Sequence, residues 1–390
     1  MSSLPFSAFT ADGFRGLRSL EVSELRGINV FVGGNNSGKT SVLEVLALLS
    51  NPTSSYEWVQ IIRRRDYGRL DESIVQSLRW CFGAQHGWSE PQSQGDPQTL
   101  VSRFTVDGAT PIREMISHYY ERPATLTHSQ IEEISRLYPG VDATQILSAV
   151  VDTKFRWAAE TLASSPSSTA RHPPESSGLL LNDFSEEFLR RATPATTQRS
   201  GYGCGYAALL PYSYQLNTLQ VGARSSQLFV EEGPLLLLEL MREFDQDVQN
   251  VEVASFAGLR PAIYIKHRRL GVVPLSAFGD AMRRCLLLAT TLTSLSAGSA
   301  LLLDEVEVGI HIESLPKVFR WLARAARQLG VQVFATTHSL EVLDALLAAE
   351  VGEADLAAYR IRQGDERTEC QRFSFDSLKR LRYERGLDIR

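Results

Sequence analysis

A chain of 390 residues is long enough for two or three domain-sized units, or for one elaborated domain. Its hydrophobic share of 43% and charged share of 22% are those of an ordinary globular protein with a sizeable core. The formal net charge of -5 excludes a histone-like binder held by overall charge, while leaving room for a local basic groove.

The opening MSSLPFSAFTADGF has no charged-then-apolar leader, so export is not expected. Cys81, Cys204, Cys285 and Cys370 are scattered without CxxC spacing, which predicts reduced thiols and neither a disulfide frame nor a zinc site. The most apolar long stretch, Cys285 to Leu303, is interrupted by polar residues and runs into Asp304-Glu305. It predicts a buried helix followed by a strand, not a membrane span. A cytoplasmic protein without membrane contact is expected.

The first informative element is GINVFV, Gly27 to Val32, a β-branched and aromatic run suited to a buried strand. It leads into Gly33-Gly34-Asn35-Asn36-Ser37-Gly38-Lys39-Thr40-Ser41, which fits G-x-x-x-x-G-K-[ST]. Val42 to Leu49 then continues from Ser41 with apolar residues at helical spacing. Taken alone, the pattern also fits a glycine-rich turn with an exposed lysine. Strand, turn and helix in this order favour a phosphate cradle, because backbone N–H groups and the positive helix end then face the anion. Lys39 is the candidate partner of the β- and γ-phosphates of ATP, and the Thr40 hydroxyl the candidate magnesium ligand.

Residues 51–250 are large enough to form a domain. They carry no sustained heptads and are broken by Pro123, Pro139, Pro173, Pro174, Pro194 and Pro211, which excludes a coiled-coil arm. A mostly helical insertion with some strands is expected, with Thr127 to Phe155 read as helices and Asp142-Ala143-Thr144 as a helix start. Ser164 to Gly178 and the glycine-spaced Ser200 to Tyr206 read as loops. Arg63-Arg64-Arg65 and Lys266-His267-Arg268-Arg269 are local basic clusters that could touch a DNA or RNA backbone, although such clusters are more often solvated faces or hairpin turns.

Ser299 to Leu303 predicts a buried strand that ends in two acids. At the edge of a parallel sheet, Asp304 is the candidate magnesium carboxylate on a strand neighbouring the phosphate turn. Glu305 is the candidate base for the attacking water. Leu315 to Gln328 predicts a crossover helix. Gly330 to Thr337 is a second apolar strand with His338 just past its end, placed to bond a γ-phosphate or the attacking water. From Leu356 the tail alternates toward a strand and ends in a basic helix.

GGNNSGKT, LLLDEVEVGIH and VFATTHS together resemble the ABC-type ATPase heads of the RecF/SMC/OLD group, the last named for overcoming lysogenization defect. Gly13 to Gly33 is similar to that group's first hairpin, and Pro274 to Arg284 to the OLD-like signature motif. The resemblance implies an α/β P-loop NTPase head split between residues 1–50 and 251–390, with 51–250 inserted. It implies dimerisation, or a higher homo-oligomer, around sandwiched ATP and Mg2+, with Ser276 and Gly279 touching the nucleotide of the other subunit. Gly309 and His311 fall in the D-loop equivalent, and His338 becomes the switch histidine. Ala281 departs from the pattern, where such signatures often carry a second glycine.

Many OLD proteins continue into a TOPRIM nuclease domain, and too little chain follows His338 for one, so a nuclease is expected only as a separate effector. The leading expectation is an ATPase acting as sensor or motor subunit in antiphage defence or DNA maintenance. The alternatives are a nucleotide-gated scaffold that assembles a partner nuclease and, more weakly, a transporter ATPase.

Overall fold

The computed structural model describes residues 4–65, 73–82, 99–137, 140–142, 145–158, 173–182, 203–209, 233–254, 262–349, 351–352 and 355–388. A first hairpin, β1 (Ala8–Asp12) and β2 (Leu20–Val22), precedes β3 (Ile28–Val32), the phosphate turn and α1 (Lys39–Ser50). Helices α2 (Tyr56–Arg65) and α3 (Ile74–Cys81) follow. Then come β4 (Leu100–Asp107), β5 (Ile112–Pro123), α4 (His128–Leu137), β6 (Leu147–Trp157), β7 (Ser176–Asn182) and β8 (Tyr206–Leu209). Next are α5 (Gly233–Phe244), β9 (Val248–Ala254), β10 (Ala262–His267), β11 (Gly271–Pro274) and α6 (Asp280–Thr293). The chain closes with β12 (Ala300–Leu303), α7 (Leu315–Leu329), β13 (Gln332–Thr337), α8 (Leu340–Ala348), β14 (Leu356–Gln363), β15 (Thr368–Phe373) and α9 (Phe375–Lys379).

The central sheet has the order β15-β14-β3-β13-β12-β8, parallel throughout except for the edge strand β15. Both faces are covered, which is why β3 and β12 are buried along their whole length. The two-residue side-chain period splits each strand between two cores. Val30, Leu301, Leu303 and Val333 point into one core, built with α6, α7 and α8. Phe31, Leu302 and Phe334 point into the other, where α1 lies against an antiparallel sheet of order β2-β1-β4-β5-β6-β7. Helix α1 is enclosed over Ser41 to Ser50, so its run of Val, Leu and Ala is apolar all round. A third sheet, β11-β10-β9, leads into α6.

This is the ABC-type P-loop head fold, with mixed sheets and flanking helices. The middle of the chain differs from expectation: among the described residues of 51–250, strands β4 to β8 stand beside the helices. Four of them extend the first hairpin into the antiparallel sheet, and β8 pairs with β12 in the central sheet. The segment Thr127 to Phe155 yields only α4. From Leu147 it is strand, because β6 pairs with β5 over eleven residues and with β7 on its other side, pairings invisible to a local pattern. Most of the loop read at 164–178, residues 200–202 of the glycine-spaced segment, and Ala143-Thr144 lie outside the described residues. Tyr206, read as loop, begins β8.

Candidate nucleotide site

Strand β3 delivers the chain to Gly33 at the edge of the central sheet. A Cβ there would lie 2.5 Å from the Ile361 carbonyl oxygen on β14 and 2.6 Å from Ser37 Oγ, so only glycine lets the turn start so close to its neighbour. Gly38 caps α1 in a left-handed conformation, φ 97°, with Leu17 packed where a side chain would go. Gln363 Nε2 braces the turn from outside by donating to the Ser37 carbonyl at 3.2 Å. Lys39 folds along the turn, its ammonium donating to the carbonyls of Gly33 (2.8 Å) and Gly34 (2.7 Å). Burial lowers the Lys39 pKa, while the charges of Asp304, Glu305 and Glu307 work against that shift.

The acids reach this edge by register. Leu303 pairs with Ala335, which sets Asp304 beside Thr336, and Thr337 pairs with Val32, which sets His338 beside Gly33. One correction follows: β12 is not the immediate neighbour of the phosphate-turn strand, since β13 lies between them. Asp304 is buried and accepts from Thr40 Oγ1 at 3.1 and 3.2 Å and from Thr336 Oγ1 at 2.5 Å. Its carboxyl is held above the usual range, chiefly by burial, against the lowering effect of the Thr336 and Thr40 hydrogen bonds.

Glu305 takes up a left-handed backbone, φ 49°, which costs a non-glycine residue about 1–2 kcal/mol. Two bonds hold that turn: the Glu305 amide donates to Thr336 Oγ1 (2.9 Å) and the Val306 amide to the Thr336 carbonyl (3.1 Å). His338 Nδ1 lies 3.3 Å from Glu307 Oε1, which also accepts from Thr337 Oγ1 at 2.8 Å. Lys39, Thr40, Asp304, Glu305 and His338 are therefore gathered at one sheet edge. The donors also fit the ligands expected there. A hydroxyl and a carboxylate 3.1–3.2 Å apart suit a hard cation such as Mg2+, and a glycine cradle open to backbone N–H groups suits phosphate.

Sequence reasoning missed Thr336, Glu307, Gln363 and a buried charge cluster behind the turn. In that cluster Glu44 on α1 pairs with Arg15 (2.8 Å) and Arg65 (2.8 Å), and Arg65 also donates to Ser41 Oγ. Thr336 and Glu307 sit within the quoted motifs, and a polar residue next to each assigned one was the available signal. The others are brought in from distant parts of the chain. Ion pairs engage two of the three residues of Arg63-Arg64-Arg65, which weighs against a nucleic-acid face there. Arg64 is partly buried against Glu57 and the Tyr206 hydroxyl, and Arg65 pairs with Glu44.

The second basic cluster is a hairpin turn between β10 and β11. Arg268 and Arg269 pair with Asp247, and His267 Nε2 lies 3.1 Å from Asp245. His267 Nδ1 accepts the amides of Arg269 and Leu270, so Nε2 of the neutral ring carries the proton and faces the carboxylate. The ligand atoms of Asp245, Asp247 and His267 lie within 4.8 Å of one another, and these contacts hold the group together as a turn.

Ser276, expected to belong to a signature motif, sits in a short 3-10 turn after β11, and its carbonyl accepts from Arg283 at 2.6 Å. Gly279 opens α6 in extended backbone, and a Cβ there meets nothing within 4 Å among the described residues. Among those residues, no hydrogen bond joins 275–279 to the phosphate turn. Gly309 is left-handed, φ 75°, with the Arg284 guanidinium packed on its backbone where a side chain would overlap it. His311 is exposed and accepts the Glu313 amide.

Residues 161–344, a span holding the signature segment, both acids and His338, match the family described as "AAA domain, putative AbiEii toxin, Type IV TA system". The fold is that of a P-loop NTPase with an ABC-type head, and the matched residues are similar to that AAA-type family. The uncharacterized protein MJECL11 of Methanocaldococcus jannaschii is 33% identical over 114 residues, 29% of this chain and 98% of that protein. The chain belongs to the same family as that archaeal protein. Two solved structures are similar over most of the chain. An Smc head bound to the C-winged helix domain of ScpA has a TM-score of 0.47 at 11% identity, covering 95% of this chain and 97% of that one. The SMC head domain of Thermotoga maritima has a TM-score of 0.43 at 11% identity, covering 94% and 98%. At these scores neither likeness adds to the fold assignment, which rests on the sheet order and the phosphate turn. Among the described residues, no helix is long and apolar enough to cross a membrane.

Proposed function

We propose that the chain hydrolyses ATP to ADP and phosphate at this sheet edge. The carrying observation is the convergence of Lys39, Thr40, Asp304, Glu305 and His338, with Thr40 and Asp304 in direct contact. The amides of the turn and the positive end of α1 bind the phosphates. Lys39 exchanges the Gly33 and Gly34 carbonyls for phosphate oxygens, meeting the negative charge that develops there. Thr40 and Asp304 would hold Mg2+, which supplies further neutralisation of the phosphates when bound. Glu305 orients the attacking water and accepts its proton, with His338 on the same side.

The nucleotide is sandwiched between two copies, so that Ser276 and Gly279 complete the partner's site. The open surroundings of Gly279 and its lack of hydrogen bonds to its own phosphate turn support this. The head then serves as an OLD-like sensor or motor subunit in antiphage defence or DNA maintenance, with any TOPRIM-type nuclease supplied by a separate effector. The motif set and its order support that setting.

The test is kinetic. Lys39→Ala is expected to lose most ATP binding, while Glu305→Gln keeps binding and loses at least about 100-fold in turnover. Unchanged steady-state hydrolysis in both variants, shown to be folded, would reject the site. Mixing Lys39→Ala with Gly279→Asp subunits should restore part of the activity. No recovery despite mixed oligomers would reject the sandwich while leaving the hydrolytic edge standing.

A further inference from the structure

Glu307 lies two residues beyond the proposed base, and its surroundings do not resemble those of a structural acid. The Glu305 and Val306 amides donate to Thr336, and these bonds bend the chain after β12 over the end of β13. The Glu307 carboxylate therefore faces the residues that follow that strand. Its Oε1 accepts from Thr337 Oγ1 at 2.8 Å and the His338 amide at 3.3 Å, and lies 3.3 Å from His338 Nδ1. Its Oε2 is buried with no hydrogen-bond partner among the described residues. A neutral side chain could satisfy Thr337 without the cost of desolvating a charge, so the placement of an acid here calls for another reason. Its field also reaches Lys39, together with those of Asp304 and Glu305.

We propose that Glu307 is a positioning residue for hydrolysis: it keeps a proton on Nδ1 of His338 and fixes the ring so that Nε2 serves the reacting side. A neutral imidazole with a bare Nδ1 would set its lone pair against a carboxylate oxygen, so the negative charge selects the Nδ1–H form. The His338 amide and the Thr337 hydroxyl donate to the same carboxylate oxygen, which holds it beside the ring. This inference rests on the hydrolysis reading for its consequence, but not for its geometry.

Nitrogen-15 NMR of histidine-labelled protein without nucleotide reads the geometry directly, with the His338 signal assigned by its loss in His338→Ala. Wild type is expected to carry a proton on Nδ1, and Glu307→Ala to shift His338 toward the Nε2–H form. A bare Nδ1 in wild type would overturn the proposal even if ATP is hydrolysed. Kinetically, Glu307→Ala should lower kcat by about tenfold or more with KM within about threefold. In a His338→Ala background the same change should cost less than about twofold. An equal loss in both backgrounds would mean that Glu307 does not act through His338. Glu307→Asp should recover part of the kcat. If Glu307→Ala does not fold, Glu307→Gln keeps a Thr337 acceptor, removes the charge and is read in the same way. Absence of turnover in wild type would sink the hydrolysis reading, while the tautomer would still decide the role of Glu307.

Discussion

Two glycines of the proposed site stand in opposite circumstances. At Gly33 a single added carbon would lie 2.5 Å from a carbonyl oxygen of the same chain, whereas at Gly279 it would meet nothing within 4 Å among the described residues. The phosphate turn is enclosed on its own account: β14 presses on its first residue, Gln363 braces its middle, and Leu17 closes over Gly38. Among the described residues, the turn at Gly279 has no comparable enclosure. A small residue needed at the first place is explained inside the chain. If one is needed at the second, the cause lies outside it, as a composite site between subunits requires.

The comparison can be tested on stability, beginning where the enclosed region depends most on its own charges. Glu44 is buried behind the turn and holds both Arg15 and Arg65. Removing one partner leaves buried charge without compensation. Glu44→Ala is expected to cost about 3 kcal/mol in urea unfolding, the low end for a buried pair because Arg65 is partly in water. A loss below about 0.5 kcal/mol would show that the cluster contributes as little as a surface pair.

The glycines themselves come next. Gly33→Ala must displace β14 or Ser37, and a loss of about 1–3 kcal/mol is expected, together with loss of ATP binding. Gly279→Ala should leave stability within about 0.5 kcal/mol and leave binding by a single subunit intact, while lowering turnover. Similar losses of stability at the two positions would break the contrast.

The smallest effect has the opposite sign. Burial raises the Asp304 carboxyl more than its hydrogen bonds lower it. A carboxyl raised on folding weighs against the folded state when pH exceeds both its folded and unfolded values. The penalty is gone below the unfolded value, about 4. Without magnesium or nucleotide, Asp304→Asn is expected to raise Tm by about 2 °C at pH 7, a gain that fades toward about pH 3. An unchanged or lower Tm at pH 7 would mean that the threonine contacts outweigh burial.

Much of this edge was legible because its chemistry lies in short contiguous runs. Gly33 to Thr40 reads as a phosphate turn through its spacing together with the strand before it and the helix after it, and an apolar run ending in Asp304-Glu305 reads as a strand delivering acids. The reading of Leu315 to Gln328 as a crossover helix matches α7, since its pattern and length are local. Glu307 was passed over because its role depends on Thr337 and His338, which lie across two strands and the helix between them. The strand character of Leu147 to Trp157 was equally hidden, since β5 and β7 supply the hydrogen bonds that decide it.

The amino-acid sequence by itself determined the phosphate turn, the acids after β12, the histidine after β13 and the buried strands that carry them. Each depends on residue type and spacing within about a dozen positions, where chain geometry leaves few alternatives. Tertiary structure alone decided that β13 lies between the turn and the acids, that Thr336 ties Asp304 to Glu305, and that Arg64 and Arg65 turn inward to buried carboxylates. Those outcomes depend on which distant segments pair, and on the need of each buried charge or hydrogen-bonding group to find a partner wherever the fold brings one.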